Sequence, residues 1–132
     1  LDAPAARYWP AFAARGKQHI TIRQLLGHTS GLPAGVDPGR ARDPAAVYER
    51  IAQVKPQSAP GLGVRYSDVN FAALGKIVAR TSGHRLDIYA ERHIFEPLGM
   101  QYTRYRPPMA WQARIAPTSP DSQIDDRTPR GA

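Results

Sequence analysis

Between Gly61 and Gly83 the chain reads GLGVRYSDVNFAALGKIVARTSG, a glycine-rich approach feeding a helix. Pro60, Gly61 and Gly63 keep the approach out of regular structure. Ser67 or Asp68 is placed to cap the helix, because a short side-chain oxygen accepts from the free N–H groups of a first turn. Phe71, Leu74, Ile77 or Val78, and Thr81 then recur at helical spacing. Gly83 follows the last of them, where a left-handed residue closes a helix at least cost. Tyr66-Ser67-Asp68 therefore stands at the mouth of a buried helix. Three hydrogen-bonding side chains in a row at such a junction are a candidate place for chemistry.

The remainder of the chain supports a mainly α reading. Asp2 caps a short turn with Pro4 near its start, with Tyr8, Trp9 and Phe12 as bulk, and residues 15–18 form a polar break. Thr21 caps a helix whose apolar face is Ile22, Leu25 and Leu26 and which Gly27 ends. Residues 27–40 make a loop rich in Gly and Pro, ordered enough that Leu32 and Val36 need partners. Asp43-Pro44 is an N-cap followed by proline at the first helical position. That helix carries Val47, Ile51 and Val54 and stops before Pro56. Leu86 to Phe95 is a further helix, with Ile88, Tyr89 and Ile94 for packing, and Glu96–Met100 turns back toward the core. Proline is frequent from Pro107 onward, and the last dozen residues have too little apolar content to pack alone. No segment alternates as a strand does, and there is no internal repeat.

Composition narrows the classes. A chain of 132 residues holds one modest core, and 42% hydrophobic against 22% charged residues argues for a folded domain over disorder. No apolar run has the length of a membrane span. LDAPAARYWP has no apolar signal-peptide region. It also lacks an initiator Met, so the chain is expected to be a piece of a longer protein, of unassigned localisation. The absence of cysteine removes thiolate catalysis and cysteine-bound zinc from this segment. Net charge is +7, which invites an anionic partner. However, the arginines are scattered without a run, as on a solvated surface.

Several catalytic patterns are absent. Gly27-His28-Thr29-Ser30-Gly31 has the wrong spacing for a nucleophile elbow. There is no phosphate-cradling glycine loop. His19, His28, His84 and His93 show no pairing suited to a metal, so neither metal nor cofactor is expected. No serine or threonine has a lysine three residues on.

Three blocks carry a resemblance: ITIRQLLGHTSGLP (residues 20–33), the stretch Gly61–Gly83, and IFEPLGM (residues 94–100). With LDAPAARYWPAF at the start, they resemble the serine β-lactamase-like superfamily, which includes class C β-lactamases, D-alanyl-D-alanine carboxypeptidases and family VIII carboxylesterases. The resemblance covers about residues 1–120, in consistent order. It implies the helical lobe of an α/β fold, with long loops and little or no sheet of its own. Residues 1–106 would form that lobe. Residues 107–132 would be an extended, proline-rich lead into an α/β lobe.

In that family a Tyr-Ser-Asn-like triplet is the second of three catalytic motifs. The first, Ser-x-x-Lys, and the third, a Lys-Thr-Gly-like or His-x-Gly-like triplet, are not in this chain. By resemblance, Tyr66 is the proton-relaying tyrosine, since a phenol made more acidic by an ammonium can shuttle a proton between nucleophile and leaving group. Asp68 stands where many relatives have Asn. An ionised Asp only accepts hydrogen bonds whereas Asn also donates, so Asp68 leans the expectation away from strict β-lactam recognition toward an ester or peptide. The implied partner is a small-molecule ester, amide or β-lactam, acted on by the parent enzyme and not by this segment alone.

Other residues take plainer readings. Ser67 is a cap and His28 a structural loop residue. Asn70 is exposed or cap-related, and Lys76 is solvated. Trp9, Trp111 and Met109 belong to core or lobe-interface surface. Two other functions stay open: a non-catalytic interaction module derived from the same fold, and a helix-turn-helix over residues 69–95. Asp87 and Glu91 oppose the latter, since base edges and phosphates call for Arg, Lys, Asn or Gln, so no nucleic acid is expected. A lobe without its neighbour exposes apolar surface, which predicts that the chain forms a homodimer or swaps elements, or is a proteolytic remnant.

Overall fold

The structure is a computed structural model that describes residues 1–37 and 43–115. Among these there is no strand; Pro4 and Thr21 form an isolated antiparallel bridge. The chain divides into two compact units, residues 1–86 and residues 87–132. The last dozen residues, expected not to pack, lie outside the described part.

In the first unit, three helices and two short 3-10 segments surround one core. Helix α1 (Ile22–Leu26) starts in a capping box: the Thr21 side chain accepts from Gln24 N–H, and the Gln24 side chain returns to Thr21 N–H. Helix α2 (Pro44–Gln53) starts at Asp43, whose carboxylate accepts from Ala45 N–H at 2.9 Å, with Pro44 at its first position. Helix α3 (Asp68–Ser82) ends at Gly83, in the left-handed conformation with φ +73°. The expected starts and stops of α1 and α2, and the Gly83 stop, are all present. The 3-10 segments are Ala5–Arg7 and Pro10–Gly16, the second broken at Ala14 and Arg15.

The core consists of Trp9, Phe12, Ile20, Leu25, Leu32, Ile51, Val69, Ala73 and Ile77, with Val36, Val47 and Leu74 packed against it. Leu32 and Val36 thus find the partners they required. On helix α3, Ile77 is buried and Leu74 packs against the core as their spacing predicts, but Phe71 does not. The buried stripe is Val69, Asn70, Ala73 and Ile77, while Phe71 is more than half exposed. Helix α3 packs against α1 and α2, and a Cβ added at Gly75 would lie 3.2 Å from Leu86 Cδ2.

Two expectations at the start of the chain are corrected. Asp2 caps nothing; both its carboxylate oxygens take hydrogen bonds from Arg23, at 2.7 and 3.0 Å. The polar break at residues 15–18 hides a fully buried Lys17. Its ammonium donates to the carbonyls of Ala14, Ala52 and Val54 at 2.7, 2.8 and 2.6 Å. Helix α2 ends there, so its free C-terminal carbonyls are satisfied by a side chain from elsewhere in the fold.

The second unit carries helix α4, which begins at the boundary (Leu86–Ala90) and continues as a π-helical turn (Glu91–Phe95). A 3-10 segment follows (Met109–Arg114). Tyr89 and His93 stack at 4.5 Å, Phe95 and Tyr105 at 6.4 Å, and Tyr102 and Trp111 at 5.7 Å. Arg104 pairs with Glu91 at 2.9 Å. The turn Glu96–Met100 forms, with φ +65° at Gly99, but Leu98 and Ile94 stay exposed rather than packed.

Candidate active site around Tyr66 and Asp68

Two irregular loops build the site. Residues 28–34 run beside residues 57–68 and are joined by backbone hydrogen bonds from Gln57 to Gly31, Gly61 to Thr29, Arg65 to His28 and Asp68 to Ala34, at 2.7–2.8 Å. Gly31 is required at the crossing. Its φ is +76°, and a Cβ there would lie 2.1 Å from the carbonyl oxygen of Ser58.

A buried polar chain locks these loops to α3. Ser30 Oγ accepts from Leu32 N–H at 3.2 Å and donates to Asn70 Oδ1 at 2.6 Å. With its oxygen so engaged, Asn70 turns its amide nitrogen to His28 Nδ1, 3.1 Å away. Ser67 N–H donates to the same nitrogen at 3.2 Å. Both groups facing Nδ1 are N–H donors, so Nδ1 is the acceptor and the ring proton sits on Nε2. The Ser67 hydroxyl donates to the Pro33 carbonyl at 2.5 Å. Among the described residues no buried side-chain nitrogen or oxygen lacks a partner, as a low-dielectric network requires.

Two further expectations fall here. Ser67 occupies the N-cap position but makes no side-chain cap; it is buried and spends its hydroxyl on Pro33. Asn70 is neither exposed nor a cap, but fully buried at the centre of the network. The only hint in the sequence was a polar residue one turn into a helix whose neighbours Val69 and Ala73 are apolar. His28 is structural as expected, through its ring nitrogen rather than as a simple cap.

Ser67 is extended, with φ −151° and ψ 118°. Successive side chains on extended backbone point to opposite sides. Ser67 therefore faces inward while Tyr66 and Asp68 both face solvent, Tyr66 being 70% exposed. Asp68 opens the first turn of α3, where the helix dipole favours a carboxylate. The Tyr66 ring lies on the His28 imidazole at 4.7 Å between centroids, and the Phe71 ring lies 5.2 Å from that imidazole. Leu62 and Val64, on the approach to Tyr66, are also exposed.

The remaining named residues lie elsewhere. Lys76 is half-buried, with its ammonium 4.7 Å from the Tyr48 ring centroid rather than free in solvent. Trp9 belongs to the core of the first unit; Trp111 and the strongly exposed Met109 belong to the second. No group of His, Asp or Glu among the described residues is arranged to hold a metal. None of the described helices is long and apolar enough to cross a membrane.

A family model described as Beta-lactamase matches residues 1–132. The chain belongs to the Beta-lactamase family. It is 34% identical over 120 residues to a protein of Escherichia coli K12 provisionally named as a D-alanyl-D-alanine carboxypeptidase, covering 80% of this chain and 28% of that protein. It is 32% identical over 122 residues to penicillin-binding protein 4 of Amycolatopsis lactamdurans, covering 88% of this chain and 32% of that one. A crystal structure of a penicillin-binding protein homologue from Caulobacter crescentus matches 93% of this chain and 34% of its own, with a TM-score of 0.76 and 27% identity. The chain thus spans about a third of the length of these relatives. Its mostly helical architecture is a part of the Beta-lactamase fold.

Proposed function

We propose that this chain is the helical lobe of a serine hydrolase that works through an acyl-enzyme on an ester, amide or β-lactam, and that Tyr66 and Asp68 are its contribution to the active site. Residues 1–106 make up the lobe and residues 107–132 lead toward an α/β lobe. The observation that carries the reading is the backbone of the triplet. Burial of Ser67 turns Tyr66 and Asp68 to the same solvent-facing side at the start of α3. There they can face a nucleophile supplied by the rest of the protein.

In this reading the nucleophilic serine and its lysine come from a Ser-x-x-Lys motif that these 132 residues do not contain. The serine hydroxyl attacks the carbonyl carbon, and its proton passes by way of the lysine and the Tyr66 oxygen to the leaving group. Water then attacks the acyl-serine ester, releasing the acid and restoring the hydroxyl. Asp68 accepts a hydrogen bond from the lysine or from a substrate N–H. The carboxypeptidase name of the Escherichia coli relative supports a peptide substrate, and Asp in place of Asn leans the reading away from strict β-lactam recognition toward an ester or peptide.

The test is hydrolysis of a nitrophenyl ester, a D-alanyl-D-alanine peptide and nitrocefin by the full-length protein and by this segment. The expected outcome is turnover by the full-length protein and none by the segment. A full-length protein with an intact Ser-x-x-Lys that turns over none of the three would instead support a non-catalytic interaction module.

A further inference from the structure

We infer that His28 is a positioning residue for Tyr66: it fixes the phenol from below with its ring and from the side through the backbone of residues 65–67. This rests on the reading of Tyr66 as a catalytic group and adds to it a residue that the three-motif scheme does not contain.

The observations converge on one side chain. The His28 carbonyl accepts from Arg65 N–H at 2.8 Å, and its Nδ1 accepts from Ser67 N–H at 3.2 Å. The residues on either side of Tyr66 are thus both tied to His28. Its ring then stacks against the phenol at 4.7 Å, tilted by 33°. Phe71 lies against the same imidazole at 5.2 Å and 32°. Tyr66 is 70% exposed, so the core does not hold its side chain, and a catalytic oxygen needs a fixed location. The stack on His28 limits the phenol's rotation while leaving its hydroxyl free.

The conformation of His28 carries the same message. Its φ is +55°, a left-handed geometry uncommon outside glycine, in which asparagine, aspartate and histidine are the enriched side chains. Such strain persists where the surroundings over-determine it. Here the Ser30–Asn70 pair and Ser67 N–H do so, reaching Nδ1 from inside the fold. The place demands three properties at once: tolerance of a left-handed backbone, an acceptor two bonds beyond Cβ, and a flat ring. Asparagine has the first two, phenylalanine only the third, and histidine has all three.

That separation supplies the test. In the full-length protein, His28→Asn keeps the backbone and the acceptor and removes the ring. His28→Phe keeps the ring and leaves Ser67 N–H without its acceptor. Kinetics are measured beside Tyr66→Phe, and the Tyr66 ring resonances are recorded by NMR. For His28→Asn the expected result is kcat lower by about 10–100-fold with KM within about twofold, a near-normal melting temperature, and loss of the ring-current shift of Tyr66. His28→Phe is expected to keep that shift and to lose stability. Wild-type kcat in His28→Asn, with Tyr66→Phe inactive, would overturn the positioning role and leave His28 a loop clamp. Full activity in Tyr66→Phe would overturn the reading of Tyr66 instead. An unchanged Tyr66 resonance in His28→Asn would overturn the stack whatever the kinetics.

Discussion

The ammonium nitrogen of Lys17 lies 2.8 Å from the carbonyl oxygen of Ala52, buried inside the first unit and bonded also to Ala14 and Val54. The three carbonyls favour the charged amine, but removal from water opposes it more strongly. Burial, with the Arg15 charge adding to it, pushes the ammonium down from 10.5 to about 8. Between those values the unfolded chain binds more protons than the folded one. Stability through this group therefore rises as pH climbs from about 8 to 10.5 and is level on either side. Denaturant unfolding of wild type and Lys17→Met across that range is expected to show a difference that grows by up to about 1.4 kcal/mol per pH unit. A difference independent of pH would contradict the assignment.

Asn70→Ala removes the centre of the polar chain and leaves the Ser30 hydroxyl and His28 Nδ1 each short of a partner inside the fold. The expected loss is about 2–3 kcal/mol in chemical denaturation. Asn70→Asp should not restore it, because a carboxylate offers no N–H to Nδ1.

Gly31→Ala is expected to be among the most damaging single-methyl changes in the chain. The methyl would meet the Ser58 carbonyl at 2.1 Å, and the backbone is left-handed. One loop must move off the other, breaking the Gln57–Gly31 hydrogen bond. Loss of more than about 2 kcal/mol, read as a drop in melting temperature, is expected. Gly35→Ala, where a Cβ meets nothing within 4 Å, serves as the control.

The legibility of the chain follows the range of the interactions. Helix α2 could be read because Asp43 and Pro44 act on their own first turn, and the end of α3 because Gly83 adopts its conformation locally. Lys17 could not: its acceptors Ala52 and Val54 lie more than thirty residues away, so in sequence it resembles any surface lysine. Ser67 and Asn70 were misplaced for the same reason, as their partners Pro33 and Ser30 come from a different loop. Phe71 reads as core because hydrophobicity marks a helical face, but it stays more than half exposed, against the His28 ring. The triplet Tyr66-Ser67-Asp68 was recognisable by resemblance. Its inside-outside alternation needed the extended backbone at Ser67 to be seen.

Asp68→Asn exchanges an acceptor for a group that also donates, at an exposed position in the first turn of α3. In the full-length protein the ratio of kcat/KM for nitrocefin to that for a nitrophenyl ester is expected to rise by about tenfold, the scale of one hydrogen bond of about 1.4 kcal/mol. An unchanged ratio would remove Asp68 from substrate recognition. Because the side chain is exposed, the melting temperature is expected to stay nearly constant.

Tyr66 is the proposed proton relay. Its hydroxyl has no structural task in the fold: the side chain is 70% exposed, and its ring alone touches His28. Tyr66→Phe keeps that ring and removes one oxygen. In the full-length protein, steady-state hydrolysis of a nitrophenyl ester by Tyr66→Phe and wild type is the most direct measurement. The prediction is a fall in kcat of about 100-fold or more, with unchanged thermal stability. Wild-type kcat in Tyr66→Phe would contradict the central claim.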